Sequence, residues 1–150
     1  MGKETSLYLS RIGVDVVLAA RRVSVLQELE KDIRQKFGTD PLAISVDVSS
    51  ENDVKNMVDS SIDKFGKIDF VVNYAGNPIG YVKGYRRKAI YEQTIEHLKE
   101  IAEVDHFGSV RVLEYVLPYM IKEKFGIVIL ISSSAAVYGY SEDIDYIPIK

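Results

Sequence analysis

The sequence predicts an α/β protein built on a doubly wound parallel sheet, and three observations carry that prediction. Short apolar runs alternate with longer stretches of helical periodicity along the whole chain, the pattern of strands covered by helices on both faces. The helical stretches stop on Gly13, Gly38 and Gly66, residues suited to ending a helix. At 150 residues, with 47% apolar and 27% charged side chains, the chain has the size and balance of one soluble globular domain.

In order, residues 3–12 read as a first helix, with Tyr8 and Ile12 on one side. Residues 14–20 form an apolar strand. Leu26, Leu29, Ile33 and Phe37 then recur at intervals of three and four, the stripe of an amphipathic helix. Residues 42–46 are the next strand. Ser49 or Ser50 caps a helix whose buried stripe is Val54, Met57, Val58, Ile62 and Phe65. Residues 68–72 make a third strand, and residues 74–92 a loop longer than connections in such units usually are. That loop carries Tyr81, Tyr85, Arg86, Arg87, Lys88 and Tyr91, a composition that suits a solvated basic surface or the flank of a substrate site. A long helix spans 94–122, with Leu98, Ala102, Leu113, Leu117 and Met120 apolar and with Gly108 and Pro118 placed to bend it. A strand at 127–131 follows.

Composition narrows the function classes. A net charge of -3 and a pI near 5.4 give no general attraction to nucleic acid or to an anionic membrane surface. The absence of cysteine excludes disulfides, metal-thiolate sites and a cysteine nucleophile, and no metal site is expected. No apolar run reaches signal-peptide or membrane-spanning length, so the expected location is the cytoplasm.

The chemistry gathers in the tail. The strand at 127–131 delivers Ser132, Ser133 and Ser134, and a further stretch leads to Tyr146 and, four positions on, Lys150. If the chain is helical from Asp145, the Lys150 ammonium lies on the face of the Tyr146 phenol. A free tyrosine titrates near pH ~10, and a cation held close favours the phenolate, bringing the group into range as a general acid or base. Pro148 lacks an N–H and disfavours helical geometry at Ile147, so this pairing requires the helix to begin about there; in an extended segment the two side chains part.

These residues together resemble the short-chain dehydrogenase/reductase family, whose signature is a serine after its fifth strand and a Tyr-x-x-x-Lys about thirteen residues later. Ser133 precedes Tyr146 by that interval, which selects it over its two neighbours. The resemblance extends to Asp47-Val48 after the family's third strand, to Asn73-Tyr74-Ala75-Gly76 where the family has Asn-Asn-Ala-Gly, and to Val104-Asp105 where it has Val-Asn. It implies a Rossmann-like domain over residues 1–150 and hydride transfer between a nicotinamide cofactor and a small-molecule carbonyl or alcohol. In those terms Tyr146 exchanges the proton, Ser133 orients the substrate oxygen, and Lys150 lowers the phenol's pKa and contacts the nicotinamide ribose. Asp105 stands where the family's asparagine serves a proton-relay water. Asp47 and Val48 fall on the adenine side, and Asn73, Ala75 and Gly76 line the cofactor, since ligands of open parallel sheets bind beyond the carboxyl ends of the strands. The family also commonly self-associates through the long helix and the helix bearing the tyrosine. SSSAAVYG at 132–139 has an epimerase flavour as well, whereas the serine-to-tyrosine interval speaks for the shorter dehydrogenase type.

The cofactor's form is read from Ala19-Ala20-Arg21-Arg22. An NAD site places an acid at the end of this strand for the ribose hydroxyl, and a 2′-phosphate needs a cation. Ala20 stands at the acid's position and Arg21 and Arg22 follow, so NADP(H) is favoured over NAD(H); two arginines opening a helix also read as a solvated face.

Two departures qualify this expectation. Gly2 reads as the last glycine of the family's phosphate-binding turn, so the first strand and the two earlier glycines are missing, and the family's last strands do not follow Lys150. The expected fold is therefore incomplete, a fragment in which the strands at 14–20 and 68–72 either rejoin directly or keep exposed edges. The competing function is a catalytically inactive remnant, or an interaction module associating through the long helix around Asp105.

Overall fold

The computed structural model of the chain describes residues 1–76, 90–92 and 94–138. Tyr81, Tyr85, Arg86, Arg87, Lys88, Tyr146, Pro148 and Lys150 lie outside the described residues.

Helix α1 (Gly2–Arg11) ends in a turn through Gly13, whose φ of 85° suits a residue without a side chain. The Val14 N–H donates to the Leu9 carbonyl at 3.0 Å, so it closes the helix end instead of joining a ladder. Strand β1 accordingly begins later than predicted, at Val17–Ala20. Helix α2 (Val23–Phe37) buries Leu26, Leu29 and Ile33 and stops on Gly38. Strand β2 is Leu42–Ser45. Of the two serines offered as a cap, Ser50 is the one used: its hydroxyl accepts from the Asp53 N–H at 3.3 Å and opens α3 (Glu51–Phe65). Strand β3 runs Phe70–Asn73, two residues later at its start than predicted, because the ladder opens where the Ile127 N–H reaches the Asp69 carbonyl. Ile68 packs against the core instead.

The long predicted helix is divided. Thr94 caps α4 (Ile95–Ala102), a π turn occupies Glu103–Phe107, and α5 covers Gly108–Glu123, with Pro118 inside it. The buried face continues through the π turn at helical spacing, on Ile101, Asp105 and Gly108. Val112, Val116 and Met120 point inward, whereas Leu113 is only half-buried and Leu117 is exposed. Gly108 serves close approach, since a Cβ there would stand 2.6 Å from Val48 Cγ2. Strand β4 (Ile127–Leu130) and the single-turn α6 (Ala135–Tyr138) complete the described chain.

β1 pairs in parallel with β2, from Val17↔Leu42 to Ala20↔Ser45, and β3 in parallel with β4, from Phe70↔Ile127 to Asn73↔Leu130. Of the two expected arrangements, direct rejoining is not found: among the described residues the strands form two separate pairs. A helical layer bridges them. The core of Val46, Val54, Val58, Val112, Val116 and Met120 takes in Ile44 of β2, Val71 of β3 and Val128 of β4, so α3 and α5 hold both pairs from one side. On the other side, Val16 and Leu18 pack with Leu26, Leu29 and Ile33 of α2 and with Leu7 and Leu9 of α1. Tyr8 and Ile12 of α1 face solvent.

Candidate active site

A cavity of about 1240 Å³ opens beside β1 and β3, and it reaches the carboxyl ends of β1, β2 and β3 and the start of α1. Gly2, Arg21, Asp47, Val48, Asn73, Ala75 and Gly76 all line it. Most of the predicted cofactor-side residues, drawn from distant parts of the chain, therefore border one space.

Local chemistry holds them there. Asp47 Oδ1 accepts from the Ser49 hydroxyl at 2.6 Å and the Ser49 N–H at 3.0 Å. The Ser49 hydroxyl, then its N–H, and the charge of Arg21 hold the Asp47 carboxyl below the usual carboxylate range against the opposing effect of burial. The Val48 carbonyl accepts from Arg111 Nη1 at 2.6 Å, while Arg111 Nη2 donates to Glu103 Oε1 at 2.7 Å, so one guanidinium ties the end of β2 to the π turn. Asn73 folds the β3 exit through its side-chain oxygen, which accepts from the Ala75 N–H at 2.9 Å. Its amide nitrogen donates to Ser109 Oγ at 2.8 Å, and Ser109 donates onward to the Asp105 carbonyl at 2.8 Å. Asp105 is buried within the π turn, a form of backbone found often at functional sites. The hydroxyls of Tyr74 and Thr5 lie 2.7 Å apart, linking the β3 exit to α1.

Two helices open without a capping side chain. Met1 precedes α1 and Arg22 precedes α2, neither making a side-chain cap bond, and Gly2 and Lys3 of α1 line the cavity. Uncapped N–H groups at a helix start attract anions. Beside them stand the exposed Arg21 and Arg22. A donor set of this kind fits the phosphates of a dinucleotide.

Not every predicted residue borders the cavity. Arg22, Asp105 and Ser133 do not line it, although Val104 does. Ser133 lies just past β4 at the same sheet end, where the Ile131 N–H donates to the Asn73 carbonyl at 3.2 Å. It is half-buried, and Ser132 and Ser134 are exposed. Sequence reading missed Ser109, Arg111 and the Thr5–Tyr74 pair. Ser109 had a signal, since a helical serine can return its hydroxyl to the carbonyl four residues earlier; the partners of Arg111 on β2 and of Thr5 on β3 lie far off in sequence. Among the described residues there is no cluster of three or more metal-ligating side chains, and no helix is long and apolar enough to cross a membrane.

Parallel strands ending at a cavity, with uncapped helix starts beside it, define an α/β protein of Rossmann-like fold, incomplete between β1 and β3 among the described residues. The chain matches the family described as short chain dehydrogenase over residues 1–147 and belongs to it. Dehydrogenase/reductase SDR family member 7 of Mus musculus is 27% identical, covering 100% of this chain and 43% of its own. L-Sorbose reductase from Gluconobacter frateurii, solved with NADPH and L-sorbose, is 27% identical with a TM-score of 0.85, covering 96% of this chain and 52% of its own. An NAD+-bound xylitol dehydrogenase is 28% identical with a TM-score of 0.89, covering 99% and 55%. The chain thus spans about half the length of the relatives it matches, and the two solved structures hold NADPH and NAD+ respectively.

Proposed function

We propose that the chain is an NADP(H)-dependent oxidoreductase, or the cofactor-binding part of one, moving hydride between NADPH and a small-molecule carbonyl or alcohol. The observation that carries this reading is the convergence of Gly2, Arg21, Asp47, Asn73 and Gly76 on one cavity at the strand ends. NADPH, when bound, supplies the hydride. The start of α1 at Gly2 receives phosphate, Asp47 and Val48 border the adenine side, and Asn73, Ala75 and Gly76 border the rest. Tyr146 exchanges a proton with the substrate oxygen at its phenol, Ser133 orients that oxygen, Lys150 favours the phenolate, and Asp105 serves the relay water. The reaction runs in the cytoplasm. An exposed apolar stripe of Phe107, Val110, Leu117 and Ile121 supports self-association through the α4–α5 region.

The choice of NADP(H) rests on Ala20 standing where an acid is needed for NAD, and on Arg21 and Arg22 flanking the uncapped start of α2. Charged hydrogen bonds to phosphate contribute about 1.5–3 kcal/mol. Arg21→Ala is therefore expected to weaken NADPH roughly ten-fold or more, by fluorescence titration, with NADH little changed; equal loss for both removes the assignment.

A second reading, a chain that does not hold cofactor productively, is favoured by the gap between β1 and β3. NADPH fluorescence separates the two. Saturable enhancement with the 150-residue chain supports the oxidoreductase, and no change at roughly millimolar cofactor, the regime of weak binding, supports the second reading.

A further inference from the structure

Val48 meets the π turn at both of its ends. After the turn, its side chain packs so closely that a Cβ on Gly108 would stand 2.6 Å from Val48 Cγ2. Neither neighbour, Phe107 or Ser109, could take the place of Gly108 without displacing Val48, which fixes the turn's position along the helix. At the other end, the Val48 carbonyl accepts from Arg111 Nη1 at 2.6 Å, and Arg111 Nη2 donates at 2.7 Å to the carboxylate of Glu103, where the turn begins. The Gly108 N–H closes the turn on the Glu103 carbonyl. Asp105 is buried between them.

This bridge differs from an ordinary surface ion pair. The Arg111 side chain is only 20% exposed, and a hydrogen bond with an ionised partner is about twice as strong as a neutral one. The planar guanidinium holds both acceptors from one rigid group, so a shift of one is carried to the other. Val48 also lines the cavity, on the side that the oxidoreductase reading gives to adenine. We propose that Arg111 is a positioning residue: it joins the turn after β2 to the π turn as one unit, so that an adenosine group seated against Val48 holds Asp105 in place. The occupant rests on the oxidoreductase reading; the bridge does not.

The bridge is tested without ligand, on the full 150-residue chain, by amide exchange followed with nuclear magnetic resonance. The Ser50 N–H, bonded to the Asp47 carbonyl, reports the turn after β2, and the Gly108 N–H reports the π turn. Glu103→Ala leaves the Val48 bond to Arg111 intact, yet it is expected to quicken exchange at Ser50 about five-fold or more, the scale of coupling between linked sites. Arg111→Ala should do the same at both amides, and Glu103→Gln, which keeps an acceptor, should stay nearer to the parent chain than to Glu103→Ala. Ser109→Ala, which cuts the separate link from Asn73 to the Asp105 carbonyl, should leave Ser50 unchanged. Leu42, bonded to Val16 in the other ladder, should not respond to any of these changes. An unaltered Ser50 in Glu103→Ala, or equal quickening at Leu42, overturns the bridge. For the occupant the probe is adenosine 2′,5′-bisphosphate. At saturation it should shift the Ser49 resonance and slow Gly108 exchange about ten-fold in the parent chain, with that slowing lost in Glu103→Ala although Ser49 still shifts. Slowing that persists in Glu103→Ala overturns the role of Arg111 and leaves the cofactor reading standing. A probe that shifts neither Val48 nor Ser49 overturns the adenosine occupant and the cofactor reading together, whatever the ligand-free result.

Discussion

Gly108 shows how much one hydrogen in place of a methyl governs at this site. A Cβ there would meet Val48 Cγ2 at 2.6 Å and Val48 Cβ at 3.0 Å, and Val48 is itself held through its carbonyl by Arg111. Gly108→Ala is expected to cost about 1–3 kcal/mol through overpacking. Urea unfolding reads the loss, and Val48→Ala in the same chain should recover most of it. Asp47 makes a prediction of opposite character, about pH. Its folded pKa is depressed, chiefly by the Ser49 hydroxyl, so it adds stability above the usual carboxylate range and loses it as pH falls through the depressed value. Ser49→Ala, followed by acid titration, should start that loss at a higher pH. Such effects differ in how plainly sequence announces them. Gly38 and Gly66 were legible because a helix stop is a local matter; the role of Gly108 was not, because the atom it avoids sits on a segment sixty residues earlier.

At the scale of elements, α3 is the clearest case of local chemistry deciding a boundary. Ser50 accepts the Asp53 N–H, and the Ser50 hydroxyl donates to Asp53 Oδ1 at 3.0 Å, so cap and third helical residue secure each other. Ser50→Ala is expected to lower stability by about 1 kcal/mol, measured as a shift in the chemical denaturation midpoint. The periodicity of α2 and α3 placed Leu26, Ile33, Val54 and Val58 inward, and they are buried. In α5 Leu113, Leu117 and Met120 were read as apolar positions, and of these Met120 is buried while Leu117 is exposed. Nothing in 103–107 spells out a π turn, so the division of the long helix was not legible. Strand starts slipped for a related reason: an apolar run continues past the point where a partner's N–H is available, as at Val14 and Ile68.

Across the whole molecule, the convergence of Gly2, Asp47, Asn73 and Gly76 was legible only through resemblance, because no local pattern tells a chain which of its turns will border the same space. Pairing distance has a kinetic consequence. Val17 meets Leu42 after a short excursion, whereas Phe70 must await Ile127, more than twice as far along the chain. Each doubling of a closed loop adds about 0.6 kcal/mol of entropic cost, so the amino-terminal ladder should nucleate and the carboxyl-terminal ladder should follow. Pulse-labelled refolding ought to find Leu18 and Ile44 sheltered from exchange before Val71 and Ile129. A nascent polypeptide leaving the ribosome would then assemble in the order in which it is made, its later ladder waiting for the arrival of α5 and the strand beyond it.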